Sequence, residues 1–193
     1  MNNFGQLGLG NQTYYSSPKQ VGALTTWSNV TTGIAYCMAI KTDGTIWTWG
    51  RNLEGQLGLG ITSYRVNSPT QVGSLTTWSN IFPGGRGNST RAQKTDGTIW
   101  AWGVNTSGSL GLGNTTYYSS PVQLGALTTW LNVAGGYNSA LATKTDGTLW
   151  VWGLNSNGQL GLGNTTSYSS PKQLGSLTTW SKVGCGGSTS LGL

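Results

Sequence analysis

Hydrophobic and polar positions in this chain alternate in short runs, with no stretch recurring every three or four residues. In KTDGTIWTWG, Ile46 and Thr48 alternate with Trp47 and Trp49, the period-two pattern of a strand. The Asp-Gly pair just before it predicts the positive-φ positions of a tight hairpin turn. Upstream of the turn, Cys37-Met38-Ala39-Ile40 and Ala140-Leu141-Ala142-Thr143 read as the small-residue strand that pairs back, crowded between neighbours. Leu flanked by glycine in QLGLG marks a sharp backbone turn with Leu plugging a gap below. A proline after serine (Pro18, Pro69, Pro121, Pro171) breaks any ladder and belongs to a connection or a sheet edge. The pattern predicts an all-β chain.

The same pattern returns four times. Copies run 1–50, 51–103, 104–153 and 154–193, the last one truncated, and together form one tandem-repeat domain. They open with FGQLGLG, EGQLGLG, SGSLGLG and NGQLGLG, and each carries LTTW ending at Trp27, Trp78, Trp130 or Trp180. The first three close on KTDGTIWTWG, KTDGTIWAWG and KTDGTLWVWG. A unit of about 50 residues cannot cover both faces of its own sheet, whereas sheets stacked around an axis cover one another. The expected fold is therefore a β-propeller of four-stranded antiparallel blades, with the ring incomplete in one chain. Tryptophan at fixed repeat positions is the natural filling between blades, each ring burying roughly 150–250 Å². The other reading makes the ten tryptophans a ligand-binding aromatic surface.

Composition narrows the function. Charged residues make up 7% of the 193, with 32 Gly and 10 Trp, which excludes a disordered chain. The net charge of +6 rests on cations spread along the chain against Glu54 alone, because Lys41, Lys94 and Lys144 are offset by Asp43, Asp96 and Asp146 in the recurring turn. Scattered solubilising charge explains the remainder, and nucleic acid is not the expected partner. There is no His, and Glu54 is the one carboxylate outside the turns, so general acid–base chemistry and a metal site both lack their groups. No enzyme activity, cofactor or metal is expected. The GQLGLG strings lack the GK[ST] ending of a phosphate loop. Cys37 and Cys185 occupy unmatched repeat positions; an intrachain bridge and two free small hydrophobes are both open. No apolar run has the length of a membrane span, and the N-terminus has no signal-peptide pattern.

The series GQLGLG, Ser-Pro, W-x-x-V and DGTxWxWG resembles the repeat of the regulator of chromosome condensation family along the whole chain. That resemblance implies a propeller, commonly of seven four-stranded blades. It leaves function open, since the family includes an exchange factor, a plant ultraviolet receptor and a bacterial inhibitor protein. Many family repeats carry a His where this chain has Ala35, Asn138 and Ser188, and the GWRHT string of the light-sensing member is absent. No functional residue is carried over.

Where the copies differ is where contact specificity tends to sit. Copy two has an extra residue in ITSYRVNSP and two more across IFPGGRGNSTRAQ, making Tyr64, Arg65, Phe82, Arg86 and Arg91 the candidate partner-binding loop residues, with drift in an unselected copy as the alternative. The expected function is a non-catalytic scaffold for a protein or cell-surface ligand, extracellular or virion-associated rather than cytoplasmic. The alternative is an exchange-factor-like regulator of a small GTPase. Because the fourth copy stops before its hairpin, either further repeats or a second chain is expected to close the ring.

Overall fold

The computed structural model describes residues 1–23, 25–84, 88–185 and 190–192. Blade 1 consists of β1 (Trp27–Thr32), β2 (Tyr36–Lys41), β3 (Ile46–Asn52) and β4 (Ser63–Gln71). Blade 2 consists of β5 (Trp78–Pro83), β6 (Ser89–Lys94), β7 (Ile99–Gly103) and β8 (Tyr118–Gln123). Blade 3 consists of β9 (Trp130–Gly135), β10 (Ser139–Lys144), β11 (Leu149–Gly153) and β12 (Tyr168–Gln173). A two-stranded sheet, β13 (Val183–Cys185) with β14 (Ser190–Gly192), begins a fourth blade. Within each sheet the strands pair antiparallel in chain order. The first strands β1, β5, β9 and β13 contact one another from blade to blade, so they lie nearest the axis, and β4, β8 and β12 form the outer edges. Pro69, Pro121 and Pro171 all sit in those outer strands, where a missing N–H costs no ladder bond.

Sequence copies and blades are out of phase. Copy 51–103 supplies β4 to blade 1 and β5 to β7 to blade 2, so each repeat ties two neighbouring blades together.

The KTDGT turn holds itself with three linked hydrogen bonds. Asp43 Oδ1 accepts from the Thr45 N–H (3.0 Å) and from Thr45 Oγ1 (2.6 Å), and Thr45 Oγ1 accepts from Trp47 Nε1 (2.8 Å). The same chain recurs through Asp96, Thr98 and Trp100 and through Asp146, Thr148 and Trp150. This refines the sequence expectation for the turn, because among its residues only the glycine adopts positive φ (Gly44, +76°). The Gly44 N–H bonds the Lys41 carbonyl, the pattern of a type I turn followed by a left-handed residue. A Cβ on Gly44 would also lie 2.1 Å from the Thr76 carbonyl oxygen. The aspartate contributes its acceptor oxygen, which keeps its carboxyl below the usual range.

Between β3 and β4 the GQLGLG loop crosses to the next blade. Buried Asn52 accepts from the Leu57 N–H and donates to the Ile61 carbonyl; Asn2, Asn105 and Asn155 do the equivalent in their own loops. The Gln56 carbonyl then accepts from Trp102 Nε1 of blade 2 at 3.0 Å. Trp49 bonds the Gln6 carbonyl and Trp152 the Ser109 carbonyl in the same manner. Gly58 (φ +73°) lies flat on that indole: a Cβ there would sit 2.7 Å from Trp102 Nε1. The glycine in LGLG is thus demanded by a tryptophan on the neighbouring blade.

Three apolar clusters fill the inter-blade spaces. Ile40, Ile46 and Val72 of blade 1 meet Trp78, Ile81 and Trp102 of blade 2; Ile99 and Leu124 meet Trp130 and Trp152; Leu149 and Val151 meet Trp180 and Val183. All ten tryptophans are buried or half-buried, so they fill the core as expected and do not form an open aromatic surface. Lys41, Lys94 and Lys144 lie over the rings of Trp47, Trp100 and Trp150 at 3.5, 3.8 and 3.6 Å from their centroids. Cys37 and Cys185 do not form a disulfide. Cys37 donates to the Gln6 carbonyl, and burial pushes its thiol up to about 11.

Candidate partner-binding site

Four nearly equal copies make any irregular place conspicuous, and the largest irregularity lies in β4. It runs nine residues where β8 and β12 run six. The additional length comes from ITSYRV, which extends the ladder to β3 through Arg51 opposite Arg65 and Asn52 opposite Ser63. The other two blades stop pairing at Gly103 with Tyr118 and at Gly153 with Tyr168.

This extension stands beside the N-terminal loop, and a cleft of about 470 Å³ opens between them, lined by Asn3, Gln12, Tyr14, Tyr64 and Arg65. Tyr64 is 56% exposed, and its ring packs on Phe4 with centroids 5.3 Å apart. The Arg65 guanidinium lies 5.2 Å from the Tyr64 ring, and that of Arg51 lies 5.9 Å from Phe4. Arg51 is paired with Glu54 at 2.6 Å, and Glu54 in turn accepts from Gln56 Nε2. Tyr14 donates to the Asn3 side chain at the mouth.

Of the five residues expected from sequence, the structure brings together two, Tyr64 and Arg65. Phe82 belongs to inner strand β5, half-buried against the Trp130 and Trp152 cluster, and so is core rather than loop. Arg86 lies outside the described residues. Arg91 is the clearest correction. It is fully buried within β6, at the ladder position that Met38 holds in β2 and Leu141 in β10. Its Nη2 donates to the Ser109 carbonyl and its Nη1 to Ser89 Oγ at 3.4 Å. Burial pushes its guanidinium down to about 10.

Two further departures from the repeat make room for that side chain. Ala101 faces Arg91 where Thr48 and Val151 stand in the other blades, and Ser109 replaces the glutamine found at Gln6, Gln56 and Gln159. Arg91 sits three residues before Lys94, as Met38 precedes Lys41 and Leu141 precedes Lys144, and that spacing is the sequence signal for its inward course. Asn3, Gln12 and Tyr14 of the cleft escaped the sequence reading, because they come from a different part of the chain than the inserted residues. Among the described residues no three His, Cys, Asp or Glu side chains gather as a metal site. No helix among them is long and apolar enough to cross a membrane.

Blades stacked around an axis, with strand order following the chain, define a β-propeller repeat protein. The chain belongs to the regulator of chromosome condensation (RCC1) repeat family, whose model matches residues 43–87, 96–143 and 146–193. It is 40% identical to mouse Protein RCC2 over 91 residues, 47% of this chain and 17% of that protein. It is 34% identical to the human X-linked retinitis pigmentosa GTPase regulator over 135 residues, 67% of this chain and 13% of that protein. In fold it is similar to Prp20p of Saccharomyces cerevisiae, with a TM-score of 0.81 at 20% identity, covering 94% of this chain and 48% of that one. The chain therefore spans about half of that solved propeller and a smaller share of the curated relatives.

Proposed function

We propose that this chain is a non-catalytic scaffold that binds a protein partner through the rim of blade 1. The observation behind this reading is the departure from repeat symmetry at one surface: an extended β3–β4 ladder, not repeated in blades 2 and 3, that walls an aromatic and basic cleft. Tyr and Arg are the side chains that most often anchor protein interfaces. A structural neighbour also binds proteins, since Prp20p of Saccharomyces cerevisiae binds Gsp1p and histones. The uncovered face of blade 1 is the proposed seat of a further blade or of a second copy. Affinity capture followed by titration of each purified candidate against the chain tests the scaffold reading. The expected result is a saturable protein complex; failure of every purified candidate to saturate the chain overturns it.

A second reading, regulation of a GTPase, draws support from the likeness to the retinitis pigmentosa GTPase regulator. A panel of small GTPases loaded with fluorescent nucleotide decides it. Accelerated nucleotide release from one member establishes this reading, and unchanged release across the panel removes it.

A further inference from the structure

The cleft at blade 1 carries an electrostatic imbalance that points to its ligand. Arg51 and Arg65 stand directly opposite each other across the β3–β4 ladder. Like charges so placed repel and weaken a sheet. One carboxylate, Glu54, lies beside them, and it is engaged by Arg51. Arg65 has no carboxylate partner among the described residues; its guanidinium rests by the Tyr64 ring at the cleft wall. The repulsion enters with the same inserted segment that opens the cleft, while blade 2 and blade 3 have neither. Around the cationic pair stand an aromatic platform (Tyr64, Phe4), a phenol (Tyr14) and two amide side chains (Asn3, Gln12).

Resting on the scaffold reading above, we propose that this cleft is the docking site of an acidic peptide segment of the protein partner. A carboxylate of the segment receives two N–H bonds from the Arg65 fork, and its backbone receives the Asn3 side-chain N–H, while Gln12 braces the wall by donating to the Asn3 carbonyl at 2.7 Å. Planar carboxylate recognition is what a free guanidinium does best. Nucleic acid suits the surface less well. Most other described cations lie away from the patch: Lys41, Lys94 and Lys144 cover tryptophan rings in the hairpin turns, Lys172 covers Tyr168 and Arg91 is buried, while Lys19, over the Tyr15 ring of the N-terminal loop, adds a single cation beside it. A nucleic-acid track needs a line of phosphate contacts.

Fluorescence polarisation of labelled hexaglutamate at low salt, with labelled hexathymidylate alongside, tests the proposal on the full chain. Hexaglutamate is expected to bind saturably, R65Q to weaken it by about tenfold, and K172Q, which removes an equal charge from β12, to leave it unchanged. Absence of hexaglutamate binding, equal loss in K172Q, or tighter binding of hexathymidylate would each overturn the proposal. Near-ultraviolet circular dichroism of the tryptophans confirms that R65Q is folded; if it is not, Y64S takes its place with the same expected loss. A protein partner that still saturates R65Q with unchanged affinity removes the cleft as the docking site and leaves the scaffold reading standing.

Discussion

At the scale of single residues, Arg91 shows how one charged side chain is accommodated in a propeller core. It has no carboxylate within reach among the described residues, only carbonyl and hydroxyl oxygens, and a buried cation without a counter-charge is costly. R91M, which installs the residue of blade 1, is therefore expected to raise stability at neutral pH by about 1–3 kcal/mol in urea titrations. The sign of the pH effect follows from its titration. In the folded chain the guanidinium loses its proton near 10, below its ordinary value, so the penalty of the buried charge is full below that pH. It is relieved as the pH climbs through 10, because the unfolded chain then holds a proton that the folded chain has released. The advantage of R91M should shrink there; an advantage that grows with pH would refute the assignment. Asp96 behaves in the opposite sense. Hydrogen bonds from Thr98 lower its carboxyl, so its contribution is present above the ordinary carboxylate range and is lost as the pH falls through the folded value. T98V removes those side-chain bonds and the acceptor of Trp100 Nε1, and is expected to flatten the acid limb and to cost about 1–2 kcal/mol.

At the scale of elements, glycines that share a positive φ differ in what lies beside them. Gly58 and Gly73 both have positive φ (+73° and +58°). A Cβ on Gly73 meets nothing within 4 Å, whereas on Gly58 it meets the Trp102 indole. G73A should cost about 1 kcal/mol through its backbone alone. G58A should cost about 1–3 kcal/mol more, because the loop must lift from the indole, and hydrogen exchange should accelerate in β7 of the next blade. Equal melting points for the two variants would show that the loop does not clamp blade 2. The loops help the strands hold blade to blade, since buried Asn2, Asn52 and Asn105 tie their segments so that a carbonyl meets the tryptophan of the next blade.

At the scale of the whole molecule, the blades differ in what covers them. Ile81 and Val133 are 6% exposed against the preceding blade, while Val30 at the equivalent place in β1 is 59% exposed. Apolar strand faces of this kind associate. Sedimentation velocity of the chain is expected to show concentration-dependent association that V30D abolishes; a monomer at all concentrations would contradict it. Function also belongs to this scale. The proposed docking cleft joins residues 3–14 with residues 64 and 65, so its shape depends on how the N-terminal loop lies on blade 1 as well as on the side chains themselves.

The sequence by itself determined the architecture. Period-two alternation, a glycine in every hairpin turn and a repeat that returns four times with tryptophan at fixed places lead to stacked antiparallel blades, because these signals are local and each is repeated. It also marked Tyr64 and Arg65 as departures from the pattern. Alignment with Met38 and Leu141 signals the inward course of Arg91, but the tertiary structure decided how it is accommodated and which departures reach the surface. Arg65 and Arg91 are equally conspicuous as letters, yet one stands on an outer edge strand and the other on a strand enclosed between blades, where Ala101 and Ser109 give it space. Side-chain destination depends on the ladder register and on neighbours far along the chain, and the alternation within a single strand does not contain that information.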